Sequence, residues 1–521
     1  MTLESTIDPT VHHRRWVILG VLCLSLVLVV LGNTTLNVAL PTLVRDLDAT
    51  NSELQWIVDA YGLVFGGLLL TAGAIGDRFG RKGALQIGLV IFGLASVMGT
   101  VADQPAHLIA ARAVMGVGAA FVMPATLSIL TNVFPANERG KAIGIWAAFA
   151  GVGGATGPVV GGWLLEHFWW GSLFFMNVLV VVGALAVGAV LLPTSRDPHQ
   201  TRLDPTGAVL SIVALGGLLY GIIEGPVRGW TDPGTLVAFG VALVVGVVFV
   251  WWELRVENPM LPMRLFRERS FSVGSSSVTL AFFAMFGLMF LLTQYLQFVL
   301  GYTPLEAGVR TLPTAAGLMI AAPNSDRLAR SFGANRVVGG GLVVVALGLV
   351  ALSFFGTSTP YWELGLLLFF LGLGMGASQA PATGSIMAAM PLSKAGVGSA
   401  VNDTSREVGG AIGVAVLGSA LSAAYTSNFD ATVPAGAPPE AVDVARESVG
   451  SALGVAARVG DAAAPLADAA RHSFTDAMGV SFLIAAAVVA FGAAVAWRKL
   501  PPVNHPPELG PTGDLGSSGP S

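Results

Sequence analysis

Charge is what this 521-residue chain has least of: Asp, Glu, Lys and Arg make up 11% of it, where a soluble domain carries about 25%. So few charges cannot cover a water-facing surface of this size. The 54% apolar residues instead gather in runs of about 20 residues, the length of a helix that crosses hydrocarbon. Continuous runs rather than short alternating segments exclude a membrane β-barrel. The lone cysteine, Cys23, excludes an intrachain disulfide and argues against a thiolate metal site. The 27 Lys and Arg residues are few and scattered among loops, without the basic patch that nucleic acid would need. A Walker A loop, a nucleophile–base pair and a metal-ligand cluster are all missing, which argues against an enzyme and against ATP as the energy source.

What is present is a succession of apolar stretches. We count fourteen, near 16–40, 55–75, 84–101, 107–131, 141–165, 173–192, 207–224, 236–252, 271–298, 304–323, 337–356, 362–390, 397–425 and 477–497. Each must be a helix, because an isolated span in lipid has to satisfy its backbone internally. With the stretches alternating in direction, the loops on the N-terminal side hold nineteen Lys and Arg residues and the opposite loops five. Basic loops stay in the cytoplasm, so both termini are expected there. The run after His12-His13-Arg14-Arg15 is too long for a cleaved leader and is expected to remain as the first span.

An internal repeat divides the chain. Gly73-Ala74-Ile75-Gly76-Asp77-Arg78-Phe79-Gly80-Arg81-Lys82 follows the second stretch, and Ser325-Asp326-Arg327-Leu328-Ala329-Arg330 follows the tenth. If stretches 1–6 and 9–14 are equivalent six-helix bundles, stretches 7 and 8 are an inserted pair. Repeats of this kind imply two halves that rock about a central cavity. The glycines permit a tight turn, and Asp77 with its arginines is suited to an ion-pair and helix-dipole latch. Further on, Gly153, Gly157, Gly161 and Gly162 give one helix a smooth face, and Pro158 bends it.

The string from Gly73 to Lys82 resembles the signature of the major facilitator superfamily. Gly153 to Gly162 is similar to its antiporter motif GxxxGPxxGG, for which the resemblance implies a pliable seam between the halves. Arg112-Ala113-Val114-Met115-Gly116-Val117-Gly118-Ala119-Ala120 resembles the motif RxxQGxGAA, with Met115 where Gln is usual. Fourteen spans with Asn37-Val38-Ala39-Leu40-Pro41, Trp56-Ile57-Val58-Asp59 and Met123-Pro124-Ala125-Thr126 resemble the fourteen-helix drug:proton antiporters, and within them the QacA-type branch. The likeness covers roughly residues 14 to 498. It implies an all-α polytopic membrane protein: a cytoplasmic N-terminus (1–15), an N-terminal bundle (16–195), the inserted pair (203–255), helices 9–13 of the second bundle (264–425), an outer loop or hairpin (426–475), helix 14 (476–498) and a disordered tail (499–521). It further implies a monomer in the cytoplasmic membrane that takes no cofactor, draws on the proton gradient, and meets protons, lipids and small amphipathic cargo. Export of an endogenous lipid or metabolite is a second reading; a sensor on a transporter fold is a third, and no cytoplasmic domain supports it.

Ionisable side chains inside lipid are functional candidates. Asn33, Asp59 and Arg112 fall at one level, in the outer third of their spans by the ~1.5 Å rise per residue. Relatives usually carry an acid where this chain has Asn33, and Asn cannot carry a proton, so dication transport is in doubt. Asp403, Arg406 and Glu407 stand three and four residues apart on one helical face, with Glu407 about 15 Å deep. One arginine cannot neutralise two acids, which leaves a proton or cation site; the QacA-type branch has acids matching Asp403 and Glu407, while Arg406 is particular to this chain. Glu224 and Arg310, near outer helix ends, are either vestibule groups or interfacial ones.

Overall fold

The computed structural model describes residues 9–47, 51–195, 204–257, 259–391, 394–433, 439–459 and 464–502, all helices and connecting turns without a strand among them. The first bundle runs α1 (Pro9–Thr34), α2 (Leu36–Leu47), α3 (Asn51–Phe79), α4 (Arg81–Thr100), α5 (Pro105–Val133), α6 (Ala136–His167) and α7 (Ser172–Leu191). The inserted pair is α8 (Pro205–Arg228) and α9 (Pro233–Glu253). The second bundle runs α10 (Arg269–Gln294), α11 (Pro304–Arg310), α12 (Leu312–Phe332), α13 (Ala334–Leu352), α14 (Tyr361–Ala389), α15 (Ala395–Thr432), α16 (Pro439–Glu447), α17 (Val449–Val459) and α18 (Ala464–Lys499).

Twelve described helices are long and apolar enough to cross a membrane, thirteen when the two arms of α6 count as one span. The stretch expected at 304–323 is the one that falls short of fourteen. It is α11 and α12, separated at Thr311, and α12 carries Asn324, Asp326, Arg327 and Arg330 in its last three turns. The arms of α6 meet at a 40° bend between Gly154 and Val159, where Pro158 removes an amide donor from the ladder.

Each half has its own apolar core. One gathers α1, α3, α4, α5, α6 and α7 around Leu22, Phe92, Met115 and Trp146; the other gathers α10, α12, α13, α14, α15 and α18 around Phe271, Leu342, Leu371 and Phe482. Small residues set the closest approaches, as membrane packing requires: an added Cβ at Gly341 would lie 2.6 Å from the carbonyl oxygen of Gly374, and one at Gly88 2.7 Å from that of Gly118. The inserted pair lies outside this plan. α8 packs on α3 and α15, one helix from each half, and α9 packs on α8 with most of its apolar surface exposed. The pair is closed at one end by Asp204, which accepts the Trp252 indole N–H (2.7 Å) and caps α8 through the amide of Gly207 (2.8 Å).

The stretch 426–475, left open above between hairpin and loop, is largely helical. α15 runs to Thr432 and α18 begins at Ala464, so both outrun the apolar stretches read from sequence. Between them α16 and α17 dock back. Tyr425 donates its hydroxyl to the Ala445 carbonyl (2.8 Å), Arg446 pairs with Asp430 (2.7 Å), and Phe298 packs on Gly450. The tail expected beyond 499 falls, from 503 on, outside the described residues.

Candidate functional site

The turn between α3 and α4 reaches across to the other half. Asp77 is buried, and its carboxylate accepts the backbone amides of Gly396 (2.9 Å) and Val397 (3.1 Å), the first residues of α15. Arg81 holds the same carboxylate at 2.8 Å. The negative charge therefore sits on the positive end of a helix dipole and satisfies two amides that lack an intrahelical acceptor. Glycines make the approach possible: a Cβ at Gly396 would lie 2.8 Å from the Asp77 Cγ, and one at Gly73 2.6 Å from the Gly396 carbonyl oxygen. Gly80 turns the chain with φ +120°, where a side chain is strained. Arg78 faces the Phe79 ring at 5.3 Å. The latch read from Asp77 and Arg81 is thus assembled between α3 and α15.

Its repeat is assembled in the second half. Arg330 pairs with Asp326 at 2.7 Å, one turn apart as Arg81 is from Asp77. Asp326 lies against Gly140 near the start of α6, and Arg330 donates to the Asn137 carbonyl. Arg327 is exposed. Gly140 and Gly396 occupy equivalent places, and neither role was read from sequence; a glycine in the first turns of a helix opposite a repeated acid is the signal that could have pointed to them.

In the antiporter motif the glycines divide into two rows. Gly153, Gly157 and Gly161, four residues apart, pack on Val30, Thr34 and Thr35 of the same bundle. Gly162 meets Leu305 of the other half, as do Gly151 with Leu318 and Gly144 with Ala322. The seam between halves is therefore carried by the row that includes Gly144 and Gly151, with only Gly162 from the motif itself. The period of four keeps the other glycines on one face, and that face belongs to α1.

Arg112 is completely buried. It donates to the carbonyls of Gly32 (2.8 Å) and Ile57 (3.0 Å) and faces the Tyr61 ring at 4.4 Å. These contacts tie α5 to the end of α1 and to α3, at the level expected for the polar group there. The side chains of Asn33, Asp59 and Pro158 lie outside the described residues. Glu224 pairs with Arg228 at 2.5 Å. Arg310 stands between Tyr302 (3.7 Å) and Tyr361 (5.4 Å), with Glu306 4.0 Å away.

The acids of α15 separate. Asp403 and Arg406 are buried, 3.9 Å apart, which is longer than a hydrogen bond. Asp403 accepts from Asn402 (3.2 Å), which in turn accepts from Thr383 (2.9 Å). Arg406 lies over the Trp146 ring of α6 (4.6 Å) and the Phe282 ring of α10 (5.1 Å). Glu407, half-buried, lies instead beside Gly66 of α3. The single face expected for all three thus serves two neighbours, because adjacent positions 406 and 407 point about 100° apart. Trp146 is itself anchored by its indole N–H on Thr126 (3.2 Å). Elsewhere among the aromatic and Met side chains, Tyr295 is buried and Phe149, Phe286 and Met319 are exposed.

Two half-bundles latched through repeated Asp–Arg turns are matched by a wider comparison, in which the Major Facilitator Superfamily profile covers residues 22–414. The chain belongs to the major facilitator superfamily. It is a multi-pass membrane transporter and not an enzyme. Among similar facilitators, the multidrug efflux pump LfrA of Mycolicibacterium smegmatis is 38% identical over 95% of this chain and 97% of its own. The tetracenomycin C resistance and export protein of Streptomyces glaucescens is 32% identical over 95% and 94%. The solved human organic anion transporter MFSD10 superimposes with a TM-score of 0.60, covering 94% of this chain and all of its own at 16% identity; at that identity the likeness is one of fold.

Proposed function

We infer that this facilitator is a proton-coupled antiporter that exports amphipathic, cation-bearing compounds across the cytoplasmic membrane, as a monomer with fourteen crossings and both termini in the cytoplasm. The observation that carries the reading is the Asp77 carboxylate on the amides of Gly396 and Val397. It joins the two halves at the end that the basic loops assign to the cytoplasm, so its release opens the inner side and its formation closes it. Support for export comes from relatives named as multidrug efflux and antibiotic export proteins. Glu407, close to the seam of α3 and α15, is the group we assign to the proton, with Asp403 beside it; Arg112 holds α1 and α3 in register; Glu224 and Arg310 belong to the outer vestibule.

Everted vesicles acidified inside test this directly. Addition of a lipophilic cation should dissipate the pH gradient, and Glu407→Gln should abolish that response while leaving the protein folded and the compound bound. A gradient that no compound of a broad panel disturbs would overturn the reading. Export of an endogenous metabolite is the second reading, favoured by the relative named for both resistance and export; a gradient that only cell extract disturbs would select it.

A further inference from the structure

Arg406 is 4% exposed, yet its Nε and Nη2 have no hydrogen-bond partner among the described residues. Burying a guanidinium with unmade hydrogen bonds is costly, so the arrangement calls for a reason. The faces of the guanidinium are taken: Trp146 lies at 4.6 Å and Phe282 at 5.1 Å, one ring from each half. Its Nη1 is directed at Asp403, 3.9 Å away. What remains is one edge, Nε–H beside Nη2–H, two parallel donors on one side of a planar cation. That edge matches the two oxygens of a carboxylate, which it grips with two parallel bonds. The one acid close by, Asp403, stands on the Nη1 side and not at this edge, with its own Oδ2 unpartnered; the neighbours from α6 and α10 are aromatic, and Glu407 lies beside Gly66 of α3.

We propose that Arg406 is a carboxylate clamp in the transport path, selecting amphipathic cargo that carries a planar acid group as well as its cationic one. The proposal rests on the export reading and narrows it. A zwitterionic cargo brings the guanidinium the anion its edge lacks, and Trp146 and Phe282 hold the guanidinium plane between them so that this edge keeps its direction. The acids of α15 stay available, Asp403 for the positive end of the cargo and Glu407 for the proton. A dication finds the reverse, a fixed and buried positive charge where it would bind.

Rhodamine B and its methyl ester form a matched pair of probes, alike except that the ester has no carboxylate. In everted vesicles carrying the full chain, the acid should be exported and the ester transported at least tenfold less efficiently. Arg406→Lys keeps the charge but loses the fork; it should cut transport of the acid at least tenfold and leave the ester unchanged, whereas Arg406→Gln, which also removes the charge, should cut the acid as far and raise transport of the ester. Thermal stabilisation of the purified variants by each dye reports binding apart from turnover, and should be lost for the acid alone. Export of the ester with the acid excluded, or an equal loss of both dyes in the lysine variant, would overturn the clamp and leave export standing. Movement of neither dye by the wild type, within a panel where nothing else moves, would remove the export reading and the clamp together.

Discussion

The two Asp–Arg turns begin from nearly the same string and end in different surroundings. Asp77 is buried, capped onto α15 by two amides and held by a buried arginine. Asp326 is a quarter exposed, and its partner Arg330 about half. The inserted pair accounts for part of the asymmetry: α8 lies against both α3 and α15, and the segment after α9 reaches Lys394, whose ammonium donates to the Pro259 carbonyl at 2.9 Å one residue before α15 begins. An ion pair screened by water contributes about 0–1 kcal/mol, whereas removing one partner of a buried pair costs about 3–5 kcal/mol. A duplicated sequence thus gives one strong lock and one weak one, and what packs over each decides which.

The comparison can be broken at several points. Asp77→Asn removes the charge from the helix end and from beside Arg81; transport should fall at least tenfold and the melting temperature should drop by several degrees. Asp326→Asn should cost less than threefold in transport, and equal losses from the two would refute the asymmetry. Gly396→Ala drives a methyl group into the Gly73 backbone carbonyl and into the Asp77 carboxylate, which Arg81 and two amides hold in place. It should open the latch, cutting transport at least tenfold, as Asp77→Asn should. Gly140→Ala meets only the side chain of Asp326, a quarter exposed, and should cost less than threefold in transport. Smallest of all, Arg330→Ala should alter stability by no more than about 1 kcal/mol, read from the thermal midpoint at low and high salt.

Much of this was legible in the sequence. The apolar stretches place all the long helices, though 304–323 takes in only the first part of α12, whose Asn324, Asp326, Arg327 and Arg330 dilute its apolar character without stopping it from packing against α14 and α6. The ends were less legible. Asp468, Arg471 and His472 make the start of α18 look like a loop, although Arg471 anchors it on the Phe298 carbonyl (3.3 Å). Spacing placed Asp403, Arg406 and Glu407 together but could not say that Arg406 meets a tryptophan 260 positions earlier in the chain, because periodicity within one helix carries no information about its neighbour. For the same reason the glycines of α6 were read as one seam when they serve two.

α15 holds 38 residues in one unbroken helix, a rod of about 57 Å. Its first turn is the one Asp77 grips, its middle carries Arg406 and Glu407, and its far end supports α16. A stiff rod cannot tilt at one end and stay still at the other, so whatever fastens the far end also resists release of the first. An antibody fragment that pins α16 and α17 against α15 should therefore slow the transport cycle from the opposite side of the membrane, without entering the cargo's path.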